Sequence, residues 1–168
     1  MSTPFFSSIE RQKALVAALE AREGTPFIEG MSTPNVGYDC AHFVRDCMRE
    51  SGVDVSFFDD YPQISLNYGK FHSESLLLGW LRDAVKTGRL IQLGPRYEDD
   101  DIPLLCGDLI GIKQYASANH LAIVENNDWF WHVPRHSCVQ KTALSSFNLK
   151  SWKFSNIQIT ARYRILDK

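Results

Sequence analysis

Cys40 is the residue whose placement first suggests chemistry. It follows a loop, Thr25 to Gly37, that carries Pro26, Gly30, Pro34 and Gly37, and Asp39 opens an expected helix. A cysteine in the first turn of a helix faces exposed N–H groups and the positive end of the helix dipole, which favour the nucleophilic thiolate. A thiolate alone does not make a hydrolase. It needs a base that takes the thiol proton and later returns one to the leaving amine. Five histidines can be considered: His42, His72, His120, His132 and His136.

His120 and His132 lie on two strand-like runs, His120–Glu125 and Trp129–Val133, separated by the turn signal Asn126-Asn127-Asp128. If those three residues form the hairpin loop, Glu125 pairs with Trp129 and Ala122 with His132. The two histidines then share a sheet face as diagonal neighbours, roughly 7 Å apart at the backbone. A two-residue loop would slip the register and put them on opposite faces. One imidazole positioned by a second polar group, beside a helix-terminal cysteine, is the Cys–His–orienter arrangement of papain-like enzymes. The hairpin alone does not bring Cys40 to it.

The elements that must hold these groups can be read in turn. Ser7-Ser8-Ile9-Glu10 reads as a capping box with Ser7 as N-cap. Leu15, Ala18, Leu19 and Arg22 follow at helical spacing, and Gly24 supplies a stop. In the second helix Phe43, Val44, Cys47 and Met48 form a buried stripe that ends at Gly52. Residues 53–72 follow neither period, although they carry Phe57, Phe58, Tyr61 and Tyr68. A third helix spans about 73–87, with Leu76, Leu77, Trp80, Leu81 and Ala84 before Gly88. Short strands come after it: Leu90–Leu93, Asp108–Lys113, the hairpin, and Ile157–Leu166. Helices first and antiparallel strands after them give an α+β class in one domain, 1–168.

Composition narrows the function classes. A formal net charge of −2 argues against a dedicated nucleic-acid binder, which would carry a basic excess. No window approaches the ~20 apolar residues of a membrane span. Met1 to Ser8 lacks the basic-then-apolar pattern of a secretory signal, which leaves cytosolic use, another export route or a leader outside the sequence given. The four cysteines include no CxxC pair, so reduced thiols are expected, with Cys47 and Cys106 as structural residues. His132, His136 and Cys138 have zinc-like spacing, but Pro134 interrupts the strand and no fourth ligand is evident. The acidic run Glu98-Asp99-Asp100-Asp101 lacks the glycine-broken spacing of a calcium loop and reads as a solvated surface. Trp129, Phe130 and Trp131 alternate along the hairpin, two facing one side and one the other, as core residues with one ring available to a cleft wall.

The runs GTPFIEG, GYDCAHFV, GDLIGI, NHLAIVE and FWHVPR, in this order over about residues 20–140, resemble the NlpC/P60 family of papain-like cysteine peptidases. The resemblance implies a papain-like NlpC fold, with N-terminal helices packed on an antiparallel sheet or half-barrel of five to six strands. It implies Cys40 as nucleophile, His120 as general base and His132 as the residue that orients it. No cofactor is expected. The implied substrate is a peptidoglycan stem peptide, cut between D-glutamate and diaminopimelate, with action at the cell wall. Asp39 matches the family pattern and would contact substrate near the scissile bond. Phe27, Ala41 and His42 would line the substrate site but depart from the pattern, in which Tyr, a small polar residue and Gly are usual. Phe27 lacks the hydroxyl that helps line the oxyanion site, leaving the backbone N–H of Cys40 as the oxyanion donor. Residues 53–88 exceed a minimal family domain and are similar to phage-tail-associated members, so a phage-tail or wall-targeting partner is expected. The same framework also allows acyl transfer to another acceptor, or a non-hydrolytic tail component with a vestigial site.

Overall fold

The chain enters its first helix through a tight turn, Phe5–Ser7, that buries Phe5 and Phe6. The helix α1, Ile9–Glu20, is capped by Ser8 rather than the expected Ser7: the Ser8 hydroxyl accepts the Arg11 N–H at 3.3 Å. Ser7 is taken up by the preceding turn, where its N–H donates to the Pro4 carbonyl. Leu15, Ala18 and Leu19 are buried as the spacing predicts. Gly24, at φ +80°, lies four residues past the end of the helix.

The computed structural model describes residues 3–65, 74–94, 102–114, 117–147 and 157–167. Tyr68, His72, the expected start of the third helix at Ser73 and the acidic run 98–101 lie outside the described residues.

A two-stranded ribbon, β1 (Ser32–Thr33) and β2 (Gly37–Tyr38), leads into α2, Cys40–Glu50. Phe43, Val44, Cys47 and Met48 of α2 are fully buried. The buried Tyr38 phenol accepts a hydrogen bond from Arg22 Nε at 3.2 Å and donates to Asp46 at 3.3 Å, tying the ribbon to both helices. Beyond a turn at Ser56–Phe58 comes α3, Leu76–Lys86, capped by the Ser75 hydroxyl. Leu77, Trp80, Leu81 and Ala84 form its buried face. Three aromatic rings of the described part of the segment between these helices are fixed on Trp80. Phe58, Phe57 and Tyr61 stand 4.8, 5.9 and 5.0 Å from that ring, and the Trp80 indole N–H donates to the Phe57 carbonyl at 2.9 Å. Each such ring pair adds about 0.5–1.5 kcal/mol beyond its buried area.

The remaining strands are β3 (Leu90–Gln92), β4 (Leu109–Gln114), β5 (Ser117–Val124), β6 (Trp129–His132), β7 (Gln140–Ala143) and β8 (Ile157–Ile165). They form one antiparallel sheet in the order β3-β8-β4-β5-β6-β7. The fold is therefore α+β with a six-stranded sheet, and α2 and α3 pack against β5. One apolar cluster joins helices and sheet; a second, around Ile110, Ala122, Val124 and Phe130, covers other sheet residues. Strand β7 has no counterpart in the sequence reading, because Gln140-Lys141-Thr142-Ala143 offers no apolar alternation.

The turn before β4 is built for rigidity. Gly107 has φ +83°, and a Cβ placed there would collide with the Phe6 ring. The neighbouring Asp108 is 1% exposed. Its carboxylate accepts the Leu105 N–H at 2.8 Å and a two-pronged fork from Arg164 of β8 at 2.9 and 2.7 Å.

Candidate active site

Asp39 caps α2, its Oδ1 accepting the His42 backbone N–H at 2.8 Å. Its Oδ2 accepts the Gly30 N–H at 3.0 Å and lies 2.7 Å from the His42 Nδ1. The cap fixes the first turn, so Cys40 begins the helix, 8% exposed, on a narrow cleft. The cleft, about 40 Å³, is lined by Phe27, Glu29, Asp39, Cys40, Tyr61, Gln63, Ile64, Ser65, His120 and Arg135.

The hairpin adopts the three-residue register: Ile123 pairs with Trp131, Val124 with Phe130, and the Glu125 N–H donates to the Trp129 carbonyl. His120 and His132 therefore share a face, with Nε2 of His120 2.9 Å from Nδ1 of His132. The register of β4 against β5 shifts just before His120: Ile112 pairs with His120, whereas Lys113 pairs with Ala118. Such a bulge re-aims the side chain beside it. On its other side His132 Nε2 lies 2.9 Å from the Thr142 hydroxyl of β7, so both ring nitrogens of His132 are engaged. His120 Nδ1 makes no hydrogen bond to a protein group among the described residues.

Burial opposes the thiolate that the helix terminus favours. Burial and the nearby Asp39 carboxylate push the Cys40 thiol up to about 12, outweighing backbone hydrogen bonds from Leu121, Ala41 and Cys40 that pull it down. Burial likewise holds His120 well below the usual imidazole value, with His132 and Arg135 adding to the shift, and lowers His132 to about 4. The cleft at rest thus combines a protonated thiol with neutral imidazoles.

Of the residues singled out in the sequence, the cleft brings together Phe27, Asp39, Cys40 and His120, with His132 behind His120. Ala41 and His42 line a second cavity, about 280 Å³, with Arg45, Phe58 and Asp59. The two cavities share Tyr61 and Gln63. No expectation attached to Tyr61, Arg135 or Thr142. Tyr61 and Arg135 lie in segments without periodicity, and Thr142 lies on the unforeseen β7. Trp129, Phe130 and Trp131 are absent from the cleft lining; Phe130 and Trp131 are core residues and Trp129 is 40% exposed. No helix among the described residues is long and apolar enough to cross a membrane.

The architecture is similar to several solved structures. A protein similar to a lipoprotein of the NLP/P60 family, from Staphylococcus aureus, matches with TM-score 0.57 at 16% identity, over 100% of this chain and 45% of its own length. NlpC2 from Trichomonas vaginalis matches with TM-score 0.56 at 15% identity, over 95% of this chain and 47% of its own. The P60 domain of an antigen from M. avium subspecies paratuberculosis matches with TM-score 0.50 at 14% identity, over 95% of this chain and 97% of that domain. The chain spans about half the length of the first two proteins. No protein-family model and no curated protein matches the chain. The chain has the NlpC/P60 fold.

Proposed function

We propose that this chain is a cysteine peptidase that hydrolyses an amide bond in peptidoglycan stem peptides, between D-glutamate and diaminopimelate. One observation carries the reading: within an NlpC/P60 fold, Cys40 opens on the same narrow cleft as His120, whose Nε2 is held 2.9 Å from His132. The substrate class follows from the family whose motifs the sequence resembles.

The hydrogen-bond chain supports a base role for His120. If His132 Nε2–H donates to Thr142, His132 Nδ1 is left to accept from His120 Nε2–H. His120 Nδ1 then carries the lone pair that takes the Cys40 proton as sulfur attacks the amide carbon. The carbonyl π electrons move onto oxygen, which the backbone N–H of Cys40 stabilises. The imidazolium formed on His120 is destabilised by burial, so it gives its proton readily to the leaving amine as the C–N bond breaks. Water, deprotonated by the same nitrogen, cleaves the thioester and returns the thiol. His132 holds the ring in this tautomer throughout.

Mass spectrometry of purified peptidoglycan fragments, incubated with the wild type and with Cys40→Ala, tests the reading. Cleavage products between D-glutamate and diaminopimelate that vanish in the variant are expected. Products at another bond would keep the peptidase and replace the substrate. No product on several wall types, from a folded protein whose Cys40 is inert to iodoacetamide, would overturn the enzyme reading.

A further inference from the structure

We propose that the hydroxyl of Tyr61 is a second oxyanion donor of the Cys40 site, supplied by the irregular segment after α2. The inference rests on the peptidase reading above and deepens it.

Tyr61 lines the cleft together with Cys40 and His120. The cleft is narrow, about 40 Å³, so a carbonyl group bonded to the Cys40 sulfur lies against its lining residues. Among the described residues Tyr61 is the one phenol in that lining, since Phe27 presents only a ring. The Tyr61 hydroxyl has no hydrogen-bond partner among the described residues, in contrast to the Tyr38 phenol, which is held by Arg22 and Asp46. An unpartnered donor at a cleft wall gains most when negative charge develops in front of it.

The ring is also preorganised. It meets Trp80 edge-on at 5.0 Å and 89°, lies 6.4 Å from Phe58, and its backbone N–H donates to the Phe58 carbonyl at 3.0 Å. A donor fixed in this way need not reorganise as the oxyanion forms. Gln63, the other neutral donor shared by both cavities, is exposed and has no such support among the described residues. Burial, with the nearby Asp39 carboxylate adding to it, raises the phenol well above its ordinary value, so it remains a donor through the reaction.

Tyr61→Phe removes the hydroxyl and keeps the ring on Trp80 and Phe58. The probe is acetyl-alanyl-alaninal, a small peptide aldehyde. Its carbonyl carbon bonds to the Cys40 sulfur while the thiol proton passes to the carbonyl oxygen, which takes the place of the oxyanion. Iodoacetamide, which alkylates sulfur by displacement of iodide and forms no oxyanion, is the control. The expected result is an aldehyde Kd raised about ten-fold or more in Tyr61→Phe, with the iodoacetamide rate within about two-fold of wild type. An unchanged aldehyde Kd would overturn the proposal and move the donor role to the Gln63 amide. A parallel loss of iodoacetamide reactivity would also overturn it, because Tyr61 would then act on the thiol. A folded wild type that binds no aldehyde and resists iodoacetamide would overturn the peptidase reading itself.

Discussion

Asp108 and His120 are both ionisable, both nearly sealed from water at 1% and 6% exposure, and stand on neighbouring stretches of one sheet. Their surroundings are opposite. Asp108 has both oxygens occupied, by the Arg164 fork and the Leu105 N–H, and it locks the start of β4 to β8. Among the described residues His120 has one hydrogen-bond partner, another imidazole, and its Nδ1 has none. A buried polar group that serves only structure is saturated, whereas one that moves protons retains an unused position on the side where substrate arrives. Tyr38 and Tyr61 repeat the contrast among phenols.

The largest expected effect breaks the open side of this comparison. His120→Asn removes the base while keeping a polar side chain of similar reach toward His132. Hydrolysis of the peptidoglycan fragments cut by wild type is expected to fall by about 10³-fold, with little change in melting temperature. A loss below about ten-fold would assign the base elsewhere.

Breaking the saturated side should act on stability instead. Arg164→Ala leaves the Asp108 carboxylate buried without its counter-charge, and urea unfolding is expected to show a loss of about 3–5 kcal/mol. The Cys40 alkylation rate in the folded fraction should stay near wild type. A cost under about 1 kcal/mol would mean that water replaces the fork.

A smaller, pH-dependent effect sharpens the contrast. His120 and His132 hold folded values below the ordinary 6.5, His132 at about 4, so the unfolded chain binds protons that the native chain refuses. Their contribution is fully present above pH 6.5 and is lost as pH falls toward 4. Between pH 7 and 5 the stability measured by urea should drop by about 1–3 kcal/mol, and His132→Asn should flatten part of that slope. An unchanged stability over this range would contradict neutral, buried imidazoles.

What could be read in the residues alone divides along physical lines. The hairpin was legible from Asn126-Asn127-Asp128, and its register was legible down to two alternatives, of which the structure adopts the three-residue loop that puts both histidines on one face. The α2 stripe and the place of Cys40 at its start were legible for the same local reasons, periodicity and an Asp cap. Tandem Ser7-Ser8 left the α1 cap ambiguous by one residue, settled only by how Phe5 and Phe6 pack. Thr142 and Tyr61 were out of reach, since their positions come from sheet order and from ring packing on Trp80. The burial that opposes the thiolate at Cys40 was not legible either, because a helix terminus is a local feature and burial is a property of the whole fold.

The claim at the centre of this account is that Cys40 rests as a thiol beside an open, neutral base. The most direct measurement is the pH dependence of Cys40 alkylation by iodoacetamide, followed by peptide mapping. The account predicts a rate that climbs steadily from pH 6 to 9 without a plateau, because the thiol is held near 12. A rate already at its plateau near pH 6 would contradict it and reveal a standing thiolate–imidazolium pair.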